Sequence, residues 1–147
     1  MFDKKIREVM TSPPVCMTIA GSAREAARKM AQLDIGLVVV CDEGGRAVGV
    51  VTDRDIAVRA VALGREPGEC RLGEIMSREL VTCFEEDPVR DGEALMESRQ
   101  VRRLVVVSEY GRPVGIVALG DIAGYDRKMT GRIMEKVAQP APGFTGH

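Results

Sequence analysis

The chain has 147 residues, 45% hydrophobic and 29% charged, with a formal net charge of −1. That composition excludes a disordered chain and suits a soluble domain with a real core. The near-neutral balance argues against general nucleic-acid binding, which usually needs a basic surface. No stretch is long and apolar enough to span a bilayer, and Met1-Phe2-Asp3-Lys4-Lys5-Ile6 lacks the apolar core of a signal peptide, so a cytoplasmic protein with no membrane partner is expected. The only histidine is His147. Ser-His-Asp or Cys-His catalysis and His-ligated zinc all need an ordered imidazole, which a terminal residue rarely supplies. Cys16, Cys41, Cys70 and Cys83 form no C-x-x-C pair. Neither an enzyme nor a metal site is expected.

In chain order, Val15-Cys16-Met17 reads as a short extended piece. A helix follows, with Ser22 as N-cap, Glu25 at the capping-box position and a buried stripe of Ala23, Ala26, Ala27 and Met30. Leu37 to Cys41 suits a strand buried on both faces. Asp42-Glu43-Gly44-Gly45 turns the chain back into Ala47 to Val51, making a hairpin. A second helix is expected over about Asp53 to Leu63, apolar all round through Ile56, Ala57, Val58, Ala60, Val61, Ala62 and Leu63. Such a helix needs burial on more than one side, so a homodimer is expected.

After Gly64-Arg65-Glu66-Pro67-Gly68-Glu69 the pattern starts again. Val81-Thr82-Cys83 is extended, Asp87 caps a helix with Pro88 at its first position, and Arg103 to Val107 is a strand. Glu109-Tyr110-Gly111-Arg112 turns, Val114 to Val117 returns, and a helix is expected over Gly120 to Met129. Gln139 to His147 reads as a flexible polar tail. Gly111-Arg112-Pro113-Val114-Gly115-Ile116-Val117 repeats Gly45-Arg46-Ala47-Val48-Gly49-Val50-Val51 at an offset of 66 residues. Asp121 falls on Asp55, Met96 on Met30 and Met76 on Met10 in the same register. One unit is written twice. The expected fold is α+β, two β-α-β-β-α repeats over 6–63 and 71–127, with a linker at 64–70 and a helix end and tail at 128–147.

Val9-Met10-Thr11, Asp34-Ile35-Gly36, Gly49-Val50-Val51-Thr52-Asp53-Arg54-Asp55-Ile56, Val101-Arg102-Arg103-Leu104-Val105-Val106-Val107 and Gly115 to Ile122 together resemble a tandem CBS domain pair. The resemblance covers roughly residues 6 to 127. It is nearest to small stand-alone bacterial pairs, including hypoxia-response proteins. It implies two repeats related by a pseudo-twofold axis, pairs that commonly dimerise, and adenosine-containing ligands such as AMP, ATP, NAD or S-adenosylmethionine in the clefts between repeats. Some members have no known ligand.

Gly49, Thr52 and Asp55 match the family's ligand motif. A carboxylate can accept both ribose hydroxyls, and a threonine hydroxyl at a helix start can serve ribose or phosphate. Thr-x-x-Asp at a strand-to-helix junction is equally a capping box with no ligand role. The second repeat keeps Asp121 and has Ala118 where Thr52 stands, so its cleft is expected to be weaker. Arg102 and Arg103 stand where the first repeat has Gly36 and Leu37. In the family, basic residues there often reach phosphates; the plain alternative is a solvated pair. The resemblance groups Asp55 with Val81, Thr82, Val101, Arg102 and Arg103, and Asp121 with Cys16, Ile35, Gly36 and Leu37. It also sets Cys16 beside Cys41. Reduced small core residues are the first reading of these two, a disulfide the second.

The leading expectation is therefore a non-enzymatic sensor of an adenosine-type molecule. It requires no cofactor, though it can carry a bound adenine nucleotide, and it acts through an unknown effector protein. The rival is a ligand-free structural dimer in a stress or redox response.

Overall fold

A computed structural model describes residues 4–123. The described chain runs β1 (Cys16–Thr18), α1 (Ala23–Leu33), β2 (Leu37–Cys41), β3 (Ala47–Thr52), α2 (Asp53–Ile56), α3 (Leu72–Ile75), β4 (Thr82–Phe84), α4 (Val89–Arg99), β5 (Arg103–Val107) and β6 (Pro113–Ala118), with 3-10 turns at Ile6–Glu8 and Leu119–Ile122. Two three-stranded sheets form, ordered β1-β2-β3 and β4-β5-β6. In the first, β1 is parallel to β2 and β2 antiparallel to β3; in the second, β4 is parallel to β5. The α+β repeat read from the sequence is the fold. The buried central strands are where the β-branched runs stand: Val38 to Cys41 and Leu104 to Val107 are buried.

Packing divides the chain differently from the repeats. One compact unit holds residues 13–80 and 108–113; the other holds the described residues up to 12, then 81–107 and 114 onward. They are called the first-repeat and second-repeat units below. In the first-repeat unit, Leu72, Ile75 and Met76 of the second repeat's opening segment sit in the core with Ala23, Ala26, Met30, Val38, Val40, Val51, Ile56 and Ala60. In the second-repeat unit, Ile6 is fully buried among Cys83, Val89, Met96, Leu104, Val106, Val117 and Ile122. Each repeat's opening segment thus completes the other repeat's core.

The repeated glycines of the hairpins make this exchange fit. Ser77 and Val50 exchange backbone hydrogen bonds of 2.9 and 3.1 Å, and Thr11 and Ile116 exchange bonds of 2.8 and 3.0 Å. A Cβ on Gly49 would stand 2.6 Å from the Ser77 carbonyl oxygen, and one on Gly115 would stand 2.6 Å from the Met10 sulfur. Only glycine lets the crossing segment lie that close.

Ser22 caps α1 as expected: its hydroxyl accepts from Glu25 N at 3.1 Å, and the Glu25 carboxylate accepts from Ser22 N at 3.0 Å. Asp34 and Gln100, one offset apart, end α1 and α4 in the left-handed conformation, both at φ 54. Several details differ from the sequence reading, among them the ends of β3 and β6, which run one residue further than read. Pro88 itself is the N-cap of α4, because the Asp87 carboxylate turns back to accept from Phe84 N at 2.9 Å. Ala27 is exposed although it lies one residue from the buried stripe. Past Ile56 the helix widens into a π-helical stretch, Ala57–Val61, with i+5 bonds from Ala62 to Ala57 and from Arg65 to Ala60. β1 and β4 each start one residue later than read. The expected helix over Gly120 to Met129 falls mostly outside the described residues.

Candidate helix-start ligand site

Thr52 ends β3 and caps α2. Its hydroxyl accepts from Asp55 N at 3.1 Å, and Asp55 Oδ2 accepts from Thr52 N at 2.9 Å. The capping box is therefore formed in full, and it fixes both side chains at the mouth of the helix. It does not exhaust them. The threonine O–H remains a donor, and among the described residues Asp55 Oδ1 faces only the Arg59 Nε, at 3.9 Å. Arg59 in turn donates from Nη1 to the carbonyls of Ile75 at 3.1 Å and Met76 at 3.3 Å, so a basic side chain the sequence did not single out holds the cation beside Asp55 in place. Asp55 has a 14% exposed side chain, shielded enough for a hydrogen bond to count and open enough to meet a ligand.

Within the first-repeat unit, Asp53 N donates to Gly36 O at 3.1 Å, which brings Ile35 and Gly36 beside the Thr52–Asp55 helix start. The Asp53 carboxylate lies 3.5 Å from where a Gly36 side chain would begin. The second-repeat unit has the same joint: Leu119 N donates to Arg102 O at 2.8 Å, placing Val101, Arg102 and Arg103 beside Ala118–Asp121. There Asp121 Oδ2 still accepts from Ala118 N at 2.8 Å, but Ala118 has no hydroxyl to return the bond. Half a capping box remains, and Asp121 is exposed. Thr82, on β4, is half-buried in that same unit, and Arg103 is exposed. Inside each compact unit the structure thus sets Ile35 and Gly36 with Asp55, and Val101 to Arg103 with Asp121.

Cys16 on β1 and Cys41 at the end of β2 are free thiols; Cys41 is buried as expected of a core residue, whereas Cys16 is exposed and its Sγ donates to Pro14 O at 3.7 Å. Cys16 is registered against Val39 and Cys41 against Thr18, so the two occupy one sheet face diagonally. Loss of hydration, then the neighbouring Cys41, pushes the Cys16 thiol up to about 11; burial raises Cys41 as well. Burial pushes Cys83 up to about 12. Cys70 and Cys83 are buried core residues. Among the described residues no group of three or more His, Cys, Asp or Glu side chains is arranged to hold a metal ion, and no helix is long and apolar enough to cross a membrane.

A doubled β-α-β-β unit, with a Gly-x-x-Thr-x-x-Asp helix start in one copy, defines a class of small regulatory repeat domains. The CBS domain family matches residues 6–61 and 72–128, and the chain belongs to that family. Hypoxic response protein 1 of Mycobacterium tuberculosis is 33% identical over 117 residues, covering 80% of this chain and 81% of that one. Among solved structures, the CBS domain pair of protein MJ0100 in complex with 5′-methylthioadenosine and S-adenosyl-L-methionine superposes with a TM-score of 0.73 at 30% identity, covering 89% of this chain and 99% of that one. CBS domain protein PAE2072 from Pyrobaculum aerophilum, complexed with AMP, gives a TM-score of 0.73 at 28% identity over 89% of this chain and 98% of that one.

Proposed function

We propose that this CBS pair is a non-catalytic, cytoplasmic sensor that binds an adenosine-containing ligand, with its stronger site at the helix start of Thr52 and Asp55. The observation that carries the reading is the Asp55 carboxylate: one oxygen is spent on the cap while the other points to a fixed cation and is not hydrogen-bonded. That oxygen can take a ribose hydroxyl, and the Thr52 hydroxyl still has its proton to give. The bound AMP, 5′-methylthioadenosine and S-adenosylmethionine of the structural relatives support the same ligand class. Ile35 and Gly36 are proposed as the wall beside Asp55. Beside Asp121, Thr82 and Val101 are proposed as ligand contacts and Arg102 and Arg103 as the phosphate-reading pair of that second site. Asp121 is proposed as the weaker ribose acceptor. Native mass spectrometry of freshly purified protein tests the reading. A co-purified adenine nucleotide is expected; bare protein with no thermal shift on adding AMP, ATP, NAD or S-adenosylmethionine contradicts it.

The active form is proposed to be a homodimer that signals to a separate effector protein. Ile56 and Ala60 of the second helix are buried, while Val58, Val61 and Leu63 on its other side, and Leu33 on α1, are exposed. These apolar side chains gain most from a second chain. Light scattering of wild type and of V61E/L63E checks this, with a dimer mass expected for the first and a monomer mass for the second.

The diagonal placement of Cys16 and Cys41 on neighbouring strands favours a second reading, a redox role in which the two form a disulfide under oxidation. Non-reducing peptide mapping of air-oxidised protein decides it: a linked Cys16–Cys41 peptide supports the reading, and Cys16 alkylated as a free thiol sinks it.

A further inference from the structure

Both repeats write Gly-Arg at the hairpin turn, Gly45-Arg46 and Gly111-Arg112, and both turns belong to the first-repeat unit. Ala47 N donates to Gly111 O at 2.9 Å and ties the two tips together. Each arginine crosses to the other turn. Arg112 lays its guanidinium against Gly45, where any Cβ would overlap it, and Arg46 Nε stands 3.3 Å from where a Gly111 side chain would begin. Both glycines have positive φ, 83 and 79, so the turns themselves also favour glycine.

The tips are braced from beneath. Asp42 Oδ1 accepts from Arg46 N at 3.0 Å, Ser108 Oγ accepts from Arg112 N at 3.3 Å, and Ser108 N donates to Arg112 O at 2.8 Å. Among the described residues, neither guanidinium has an ion-pair partner or donates a hydrogen bond, whereas Arg7, Arg24, Arg59 and Arg65 each have a carboxylate within 4 Å. Two cations held together repel, and an anion between them relieves the repulsion. They open onto a recess of about 500 Å³, lined by Gly44, Arg46, Glu109, Tyr110 and Arg112. The lining carries two guanidiniums and one carboxylate, and the Asp42 carboxylate beside Gly44 has one oxygen engaged by Arg46 N. Planar forks on rigid turns suit the oxygens of a phosphate group.

The geometry points to a phosphate-binding site at the paired hairpin tips, with Arg46 and Arg112 as its ligand-contacting residues and Glu109 as a charge that limits its affinity. It lies by the start of β3, whereas Thr52 ends that strand, so it is separate from the helix-start site. The ligand is an inorganic phosphate or pyrophosphate anion, or the phosphate end of a small ester.

Calorimetry of the full chain with inorganic pyrophosphate at low ionic strength tests this. Wild type should bind. Arg46→Gln and Arg112→Gln should each weaken binding by about tenfold or more, and the double variant should abolish it. The R46K/R112K variant keeps the charge but loses the forks, and should retain weakened binding if the turns stay folded. Glu109→Gln should tighten binding by about three- to tenfold. Wild-type affinity in both Gln variants, or no wild-type binding at low-millimolar pyrophosphate, overturns the site. Loss of binding in Asp55→Asn but not in the arginine variants also overturns it, because the anion then goes to the helix start.

Discussion

The two units share a backbone plan and differ in what they present at its ends. At the helix start, one has Thr52 with Asp55 and a closed capping box; the other has Ala118 with Asp121 and half of it. At the hairpin flank, the first-repeat unit has a recess of about 450 Å³ with Ile19, Ala20, Val48, Gly73 and Met76 in its wall. One offset on, Ala20 becomes Glu86, Gly73 becomes Arg7 and Arg71 becomes Lys5. Glu86 meets Lys5 at 2.7 Å and Arg7 at 3.5 Å. The central strands kept their apolar character through the duplication, Val38 to Cys41 answering Leu104 to Val107, while the helix starts and the hairpin flanks did not.

The largest expected contrast is steric. Gly49→Ala places a methyl group 2.6 Å from a backbone oxygen of Ser77, which is itself bonded to Val50 and cannot easily yield. It should cost about 3 kcal/mol in a urea melt. At Gly115 the nearest atom is the flexible Met10 sulfur, at 2.6 Å, with the Thr11 oxygen at 3.1 Å. Gly115→Ala should cost about 1–2 kcal/mol. Equal losses would remove this difference between the two crossings.

A smaller contrast comes from the caps. Thr52→Ala removes the hydroxyl that accepts from Asp55 N and should cost about 1 kcal/mol. Ala118→Thr supplies the missing half of the second box and should gain about 0.5–1 kcal/mol. A destabilised Ala118→Thr would show that the second helix start differs in more than one atom group.

The smallest effect at neutral pH concerns the thiols. Cys16 is raised to about 11 and Cys41 is raised as well, so little thiolate is present at pH 7, and attack on a disulfide reagent should be slow there and rise about tenfold per pH unit toward that value. The sign of the linked stability follows from the same shift. A folded-state value above the ordinary 9.0 means the thiol contribution is whole below pH 9 and is lost as pH rises from 9 toward about 11. Cys16→Ser should flatten that alkaline decline in a series of thermal melts.

The repeat and its strands were legible because one register recurs without a gap and the β-branched runs are long enough to read as buried strands. Ser22 with Glu25 was legible because a cap is local chemistry. The crossing of the opening segments was not, since nothing in Ile6 or Leu72 says which copy's core receives it; the packed cores and the tight Gly49 and Gly115 contacts reveal that. Thr52 and Asp55 could be picked out from their spacing, but the spacing fits a cap and a ligand site equally, and the structure shows the cap made with one carboxylate oxygen to spare. Arg59 and the Arg46–Arg112 pair were missed because each depends on a partner brought close by the fold. The repeated Gly-Arg at both turns was the one available signal for the arginines.

The account rests most on the inequality of Asp55 and Asp121. Isothermal titration of AMP into wild type, Asp55→Ala and Asp121→Ala measures it directly, with far-ultraviolet circular dichroism confirming that each variant is folded. Losing a charge-assisted hydrogen bond costs about 1.5–3 kcal/mol, roughly tenfold to a hundredfold in affinity. Asp55→Ala should therefore remove the tighter site from the measurable range, and Asp121→Ala should leave it within about twofold of wild type. Equal weakening by the two substitutions, or loss of binding in Asp121→Ala alone, would contradict the assignment.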